Sequence, residues 1–141
     1  MEFQYLRVDY QSVVDWKFTT DCLRCNKSFH GHPRYDHILV KSENGHFFAR
    51  ILCLFRVTVD TQSHALAYVE VYCRPPGSMR RKDKDLGLYR LRLKANRYKI
   101  ISLESVVRGA LLVPDSINPE EYLVVDTIDA DMFLRLKSLV F

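Results

Sequence analysis

Alternating apolar and polar residues predict that most of this chain forms β-strands. The clearest case is residues 88–94, where Tyr89, Leu91 and Leu93 alternate with basic side chains. Because successive strand residues point to opposite faces of a sheet, this run predicts a half-buried strand with a cationic outer face. Further strands are predicted from apolar, aromatic and β-branched runs at residues 3–10, 34–41, 46–60, 64–73, 98–102 and 121–126.

The run at residues 46–60 is longer than an ordinary strand. Asn44-Gly45 precedes it and is typical of a tight hairpin turn, since both residues tolerate positive φ. We therefore expect a hairpin here, with a bend or bulge at residues 50–54 that lets the strand follow a curved sheet.

Helical signals are concentrated at the end of the chain. Asp129 is a typical N-cap for a helix at residues 130–139. One face of that helix is expected to pack on the sheet through Met132, Phe133, Leu136, Leu139 and Val140. A single helical turn is also predicted within residues 103–110, ending near Gly109.

The segment between the first two predicted strands carries weaker signals. Residues 11–18 fit either a helical turn or an extended piece, and Trp16 is expected to fill the core from there. Residues 19–33 are polar and are predicted to form a loop. The overall pattern predicts a mainly β protein: a small antiparallel barrel or curled sheet of six to seven strands with a C-terminal helix.

Length and composition predict the number of domains and the cellular location of the protein. The 141 residues fit a single domain, 1–141, and a hydrophobic content of 48% favours a folded core. No apolar run approaches the roughly 20 residues that cross a bilayer, and the N-terminus lacks the pattern of a secretory signal. We therefore expect an intracellular protein whose four cysteines form no disulfide framework.

Positive charge is concentrated in one segment. Residues 74–99 carry ten basic and two acidic residues, a net charge of +8, whereas residues 1–73 are neutral and residues 100–141 carry −4. Clustered Arg and Lys are typical of phosphate contact. The alternatives are an acidic protein partner, or a solvated loop and strand edge where lysine and arginine deter edge pairing.

Other candidate chemistry is weaker. Zinc ligands of the right type occur together in the polar segment, namely Cys22, Cys25, His30 and His32. Their crowding within eleven residues is unusual, and we favour a loop with incidental thiols. No nucleophile elbow, phosphate-binding glycine loop or zinc-protease motif is present, so we expect no enzymatic activity.

Several segments resemble the C-terminal region of fungal transposase-like proteins of the Plavaka and Kyakuja-Dileera-Zisupton type, related to the CACTA group. The resemblance covers residues 29–137 and is carried by residues 29–36, 48–52, 80–90 and 105–114. It implies an accessory domain, because the catalytic carboxylates of such enzymes would lie in a separate nuclease domain. That accessory domain would dock on DNA, on chromatin or on the rest of its own protein.

The order of features also resembles a bromo-adjacent homology (BAH) module, a β-rich chromatin-reading domain. The resemblance lies in a strand at residues 37–41, the sequence Ala49-Arg50-Ile51 in the next strand, and a later strand that runs into Arg74-Pro75. It implies a small barrel that binds a chromatin component.

We therefore predict a non-catalytic nuclear binding module that contacts DNA or chromatin without a cofactor, a membrane or a small-molecule substrate. The predicted phosphate contacts are Arg80, Arg81, Lys82, Lys84, Arg90, Arg92 and Lys94. Two alternatives stay open: a module that reads a histone tail or an acidic partner, and a scaffold domain covered within a larger protein.

Overall fold

The computed structural model describes residues 2–75 and 86–139, which form a mainly β fold as predicted. Its strands are β1 (Glu2–Phe3), β2 (Tyr5–Gln11), β3 (Phe18–Phe29), β4 (His32–Tyr35), β5 (His37–Ser42), β6 (Gly45–Val59), β7 (Gln62–Cys73), β8 (Arg90–Ser102), β9 (Val106–Ala110), β10 (Leu112–Pro114) and β11 (Glu121–Val124). Two short 3-10 turns (Leu103–Ser105 and Asp126–Ile128) and the helix α1 (Ala130–Ser138) complete the described elements.

The main sheet is antiparallel and nearly closes into a barrel. Its strand order is β10-β11-β8-β7-β6-β5-β9, and β1 pairs with β6 outside this path. The two ends of the order, β9 and β10, are separated in the chain by Leu111 alone, so one bent segment supplies both edges of the sheet. The predicted barrel with a C-terminal helix is therefore confirmed.

The β5–β6 hairpin also follows the prediction. Ser42 pairs with Gly45 across the turn, and Gly45 has a φ of 125°, which a side chain would disfavour. The expected bulge occurs in β6, where the register against β7 shifts between Ile51 and Cys53. This irregularity increases local twist and helps one long strand follow the curved sheet.

A second and larger irregularity interrupts β8. Tyr72 of β7 pairs with Leu93, whereas Glu70 pairs with Tyr98. Val71 alone therefore stands opposite four residues of β8, Lys94 to Arg97, which we call the β8 bulge. The sequence predicted two separate strands here, at residues 88–94 and 98–102, whereas the structure has one strand, β8, interrupted by the bulge.

The predicted polar loop at residues 19–33 is wrong. β3 pairs along its length with β2 and then with β4, which forms a three-stranded sheet of order β2-β3-β4. Leu23 and Cys25 are its buried apolar positions, and polar residues occupy most of the exposed ones. Only one face of β3 packs on the core, so few of its residues are apolar. The sequence of this strand therefore looks like that of a polar loop.

The expectation for Trp16 is also wrong. Its side chain is 68% exposed, and its φ of 62° lies in the left-handed region used by tight turns. It stands in the connection between β2 and β3, where its backbone N–H donates to Ser12. Local turn geometry therefore outweighs the tendency of tryptophan to be buried.

Two apolar clusters fill the fold. The first joins the N-terminal hairpin to the main sheet and includes Val8, Leu23, Ile51 and Val69. The second contains residues from every strand of the barrel path and from α1, which contributes Met132 and Leu136. The helix therefore packs as a lid on the barrel, and among the described residues no helix is long and apolar enough to cross a bilayer.

The helical predictions are partly correct. Asp129 caps α1 by accepting a hydrogen bond from the Met132 backbone N–H. Phe133, expected on the buried face, is exposed beneath the Lys137 ammonium, because Met132 and Leu136 occupy the side that meets the barrel. The helical turn predicted for residues 103–110 lasts three residues, and its remainder forms β9 against β5.

Candidate nucleic-acid interface

A groove of about 510 Å³ opens beside the β8 bulge. The bulge residues Lys94 and Asn96 line it together with Tyr98 and Lys99 of β8 and Arg74 beyond β7. The groove exists because four bulge residues face one residue of β7, so the ladder cannot close there.

The groove is positively charged. Its two lysines, Lys94 and Lys99, are exposed, and neither forms an ion pair within residues 2–75 and 86–139. Arg97 is partly exposed and lines an adjacent pocket together with Glu120, without a salt bridge to it. The described residues that line the groove include no carboxylate. The uncompensated cations therefore create a local field that attracts anions.

Aromatic rings accompany these cations. The Lys99 ammonium lies 5.3 Å from the centre of the Phe47 ring, and the Arg97 guanidinium lies 5.8 Å from that of Tyr98. Tyr98 also stacks on Tyr68 of β7, with ring centres 5.7 Å apart and planes inclined by 21°. Cations beside exposed rings are the combination that proteins use for flexible nucleic-acid strands.

The predicted cationic face of β8 is compensated by nearby acids. Arg90 is 17% exposed, forms a salt bridge with Asp115, and lies 2.7 Å from a carboxylate oxygen of Glu121. Its hydrogen bond to Asp115 lowers the pKa of that carboxyl to about 2. Arg92 reaches Glu120 at 3.4 Å. Of the three predicted contacts on this strand, Lys94 is the one that lines the groove.

The other predicted phosphate contacts, Arg80, Arg81, Lys82 and Lys84, lie outside the described residues. Arg74, which precedes them in the chain, lines the groove. The charge of this region is therefore evident in the sequence, whereas Phe47 and Tyr68 come from strands distant in sequence and were not predicted to lie near it. The pairing of β6, β7 and β8 places these aromatic residues in one region of the surface.

The four candidate zinc ligands occupy different surroundings. Cys25 is buried in β3, and burial raises the pKa of its thiol to about 11. Cys22 is exposed, and its sulfur accepts a hydrogen bond from the Tyr5 hydroxyl at 3.1 Å. His30 lies in the turn after β3, and His32 begins β4. No group of three or more His, Cys, Asp or Glu side chains arranged for a metal occurs in the described part of the chain.

A buried polar cluster lies near the groove. His37 Nε2 is 3.3 Å from the hydroxyl of Tyr72, and Arg50 pairs with Glu70 on the neighbouring strand. Burial, reinforced by the Arg50 charge, lowers the pKa of His37 to about 4. The imidazole is therefore neutral at physiological pH, which suits a structural hydrogen bond between β5 and β7.

A second buried network joins α1 to the N-terminal hairpin. The Arg108 side chain is 3% exposed and bonds Asp129 at 2.7 Å and Asp131 at 2.8 Å. It also lies over the Tyr10 ring at 4.6 Å, and Asp21 is 3.6 Å away. Although burial alone would lower the pKa of Arg108, its hydrogen bonds with Asp129 and Asp131 raise it. The guanidinium is therefore a permanent charge that holds three chain segments together.

Comparison of the chain with protein-family models, curated proteins and solved structures found no match.

Proposed function

We propose that this protein is a non-catalytic module that binds nucleic acid through the groove beside the β8 bulge. Lys94, Arg97 and Lys99 would contact phosphate groups. The single observation that carries the proposal is a groove lined by two exposed lysines, Lys94 and Lys99, and by the exposed Tyr98 ring, with no carboxylate in its described lining. Arg97 adds a third cation at the edge of this groove, with its guanidinium over the Tyr98 ring.

The charge distribution supports phosphate as the ligand. Arg90 and Arg92 already meet carboxylates within the fold, so their charges are less available to a partner. Lys94 and Lys99 line a groove without a carboxylate in the described residues, and Arg97 forms no salt bridge there although it shares a pocket with Glu120. These three charges are therefore available for phosphate. The basic residues Arg80, Arg81, Lys82 and Lys84 would add to the same charge and remain predictions from sequence.

Binding to labelled oligonucleotides, measured by fluorescence anisotropy at increasing salt, tests the proposal. Counterion release makes the affinity fall steeply as salt rises. A triple variant, Lys94→Gln with Arg97→Gln and Lys99→Gln, should lose most of the binding. A charge-matched control changes Lys17, Lys27 and Arg56 to Gln, since these basic residues are exposed and lie away from the groove.

Absence of binding at low salt, or equal losses in the two triple variants, would overturn the proposal. Selective binding of an acidic peptide or histone tail, without nucleic-acid binding, would favour the protein-reading alternative. The nuclear location, the link to transposase-like proteins and the BAH-like role stay predictions, and localisation of the tagged full-length protein tests the first of them.

A further inference from the structure

Tyr68 and Tyr98, the stacked pair of rings beside the groove, are both exposed to solvent. Tyr68 is 37% exposed and Tyr98 is 55% exposed, and neither belongs to an apolar cluster of the fold. They lie on adjacent strands, where Tyr98 pairs with Glu70 and Tyr68 pairs with Ile100. Ile100 is also exposed, so the rings form part of a continuous apolar surface. Core packing does not account for this arrangement.

Exposed aromatic rings can bind a ligand that has flat apolar faces, by stacking against it. A nucleobase stacks on an aromatic side chain whatever its sequence, because every base has a π face. In a duplex those faces are already covered by neighbouring base pairs, whereas an unpaired strand leaves them free. A base stacked on Tyr98 would therefore discriminate single strands from duplexes, a property that phosphate contacts alone do not supply.

The surroundings of Tyr98 suit an anionic strand better than an apolar peptide. Tyr98 lines the same groove as Lys94 and Lys99, and the Arg97 guanidinium lies over its ring, 5.8 Å from the ring centre. Asn96, also in the groove, has an amide that can both donate and accept hydrogen bonds at a base edge. The ring, the cations and the amide all lie within six consecutive positions of β8, residues 94–99, and Tyr68 comes from the neighbouring strand.

We infer that the ligand of this groove is single-stranded nucleic acid, with an unpaired base stacked on Tyr98 and its backbone along Lys94, Arg97 and Lys99. The inference rests on the proposed function and specifies its ligand class. A stacked base would extend the existing Tyr68–Tyr98 pair, so Tyr68 acts by holding the Tyr98 ring in place.

The test compares a fluorescent oligo(dT) strand with a duplex of equal length, at one salt concentration, on the full chain. Wild-type protein should prefer the single strand. Tyr98→Leu should weaken oligo(dT) binding about ten-fold, which is typical of one lost stacking contact, and should leave duplex binding unchanged. Tyr98→Phe keeps the ring and should keep the preference, and Tyr68→Leu should give a smaller loss.

The possible outcomes separate the two proposals. If duplex and single strand bind equally, or if Tyr98→Leu weakens both to the same degree, the single-strand inference is overturned while the proposed function stands. If neither nucleic acid binds, both are overturned. Thermal unfolding of each variant shows whether the fold is intact. Retained binding by Tyr98→Phe shows that the ring of Tyr98, and not its hydroxyl, carries the preference.

Discussion

Arg108 of β9 and Asp131 of α1 form a 2.8 Å ion pair in which each side chain is almost entirely buried. A buried charge is tolerated when it is both paired and hydrogen-bonded, and here Asp129 and the carbonyl of Gly109 satisfy further donors of the guanidinium. The pair connects the barrel strand β9 to the helix that covers the second apolar cluster. It also reaches the N-terminal segment, since Asp131 accepts a hydrogen bond from the Val13 backbone N–H.

Loss of Arg108 should therefore be strongly destabilising. Arg108→Leu removes the buried guanidinium shared by Asp129 and Asp131 and leaves Asp131 paired with Arg135 alone, 3.0 Å away. Breaking a buried pair typically costs about 3–5 kcal/mol, and we expect the lower end because Arg135 remains. Denaturant-induced unfolding measures the change. The matched control is Arg92→Leu, whose pair with Glu120 is solvent-exposed and should contribute less than about 1 kcal/mol. Similar losses in the two variants would contradict the role assigned to the network.

Stability should fall on mild acidification because of His37. Its pKa is lowered to about 4 in the folded protein, against about 6.5 when unfolded. Between these values the unfolded state binds a proton that the folded state does not, so folding stability declines as pH falls from about 6.5 to about 4. The full effect corresponds to about 3 kcal/mol.

His37→Gln should flatten that part of the stability profile, measured by urea unfolding across the same pH range. The pKa of His46 is also lowered, by burial and by Lys41, so it contributes in the same direction and part of the slope should remain. His64→Gln is the control, since His64 is exposed. An unchanged slope in His37→Gln would show that His37 is not the titrating group.

The cysteines of β3 should react in a fixed order. Cys22 is exposed, whereas Cys25 is buried with its thiol pKa raised to about 11, so Cys25 is almost entirely protonated at pH 8. Iodoacetamide should therefore label Cys22 first in the native protein and both residues after denaturation. Mass spectrometry of peptides gives the sites. Equal protection of both thiols, relieved by a chelator, would instead indicate that Cys22 and Cys25 belong to a zinc site, the alternative that the sequence disfavours.

Gly109 should not tolerate a larger side chain. A Cβ placed there would lie 2.7 Å from Leu23 Cδ2 and 3.1 Å from an Asp21 carboxylate oxygen, which is closer than van der Waals contact allows. We expect Gly109→Ala to cost about 1–3 kcal/mol by overpacking. In a double-mutant cycle, Leu23→Ala should partly relieve that cost. Additive losses would show that Leu23 is not the obstructing neighbour.

Features that depend on residues close together in the sequence were predicted correctly, whereas features that depend on distant residues were missed. The Asn44-Gly45 hairpin, the Asp129 cap and the bulge of β6 depend on neighbouring residues, and all were predicted correctly. β3 was missed because its burial depends on a sheet that sequence periodicity does not reveal. Phe47 and Tyr68 were missed for the same reason, since strand pairing brings Tyr68 against Tyr98 and places Phe47 in the groove that Tyr98 lines.

Arg90 and Lys94 lie on the same strand but should behave differently as ligands of phosphate. Arg90 bonds Asp115 and Glu121, whereas Lys94 has no ion pair in the described residues and lines the groove. Lys94→Gln should therefore weaken nucleic-acid binding. It should also reduce by about 1 the magnitude of the slope of log affinity against log salt concentration, as expected when one phosphate contact is lost.

Arg90→Gln should leave this slope unchanged and lower the thermal midpoint, because two carboxylates lose their partner. Anisotropy titrations at several salt concentrations, paired with thermal unfolding, measure both. A reduced slope in Arg90→Gln at unchanged stability would return Arg90 to the phosphate-binding surface and place the interface on the β8 strand face.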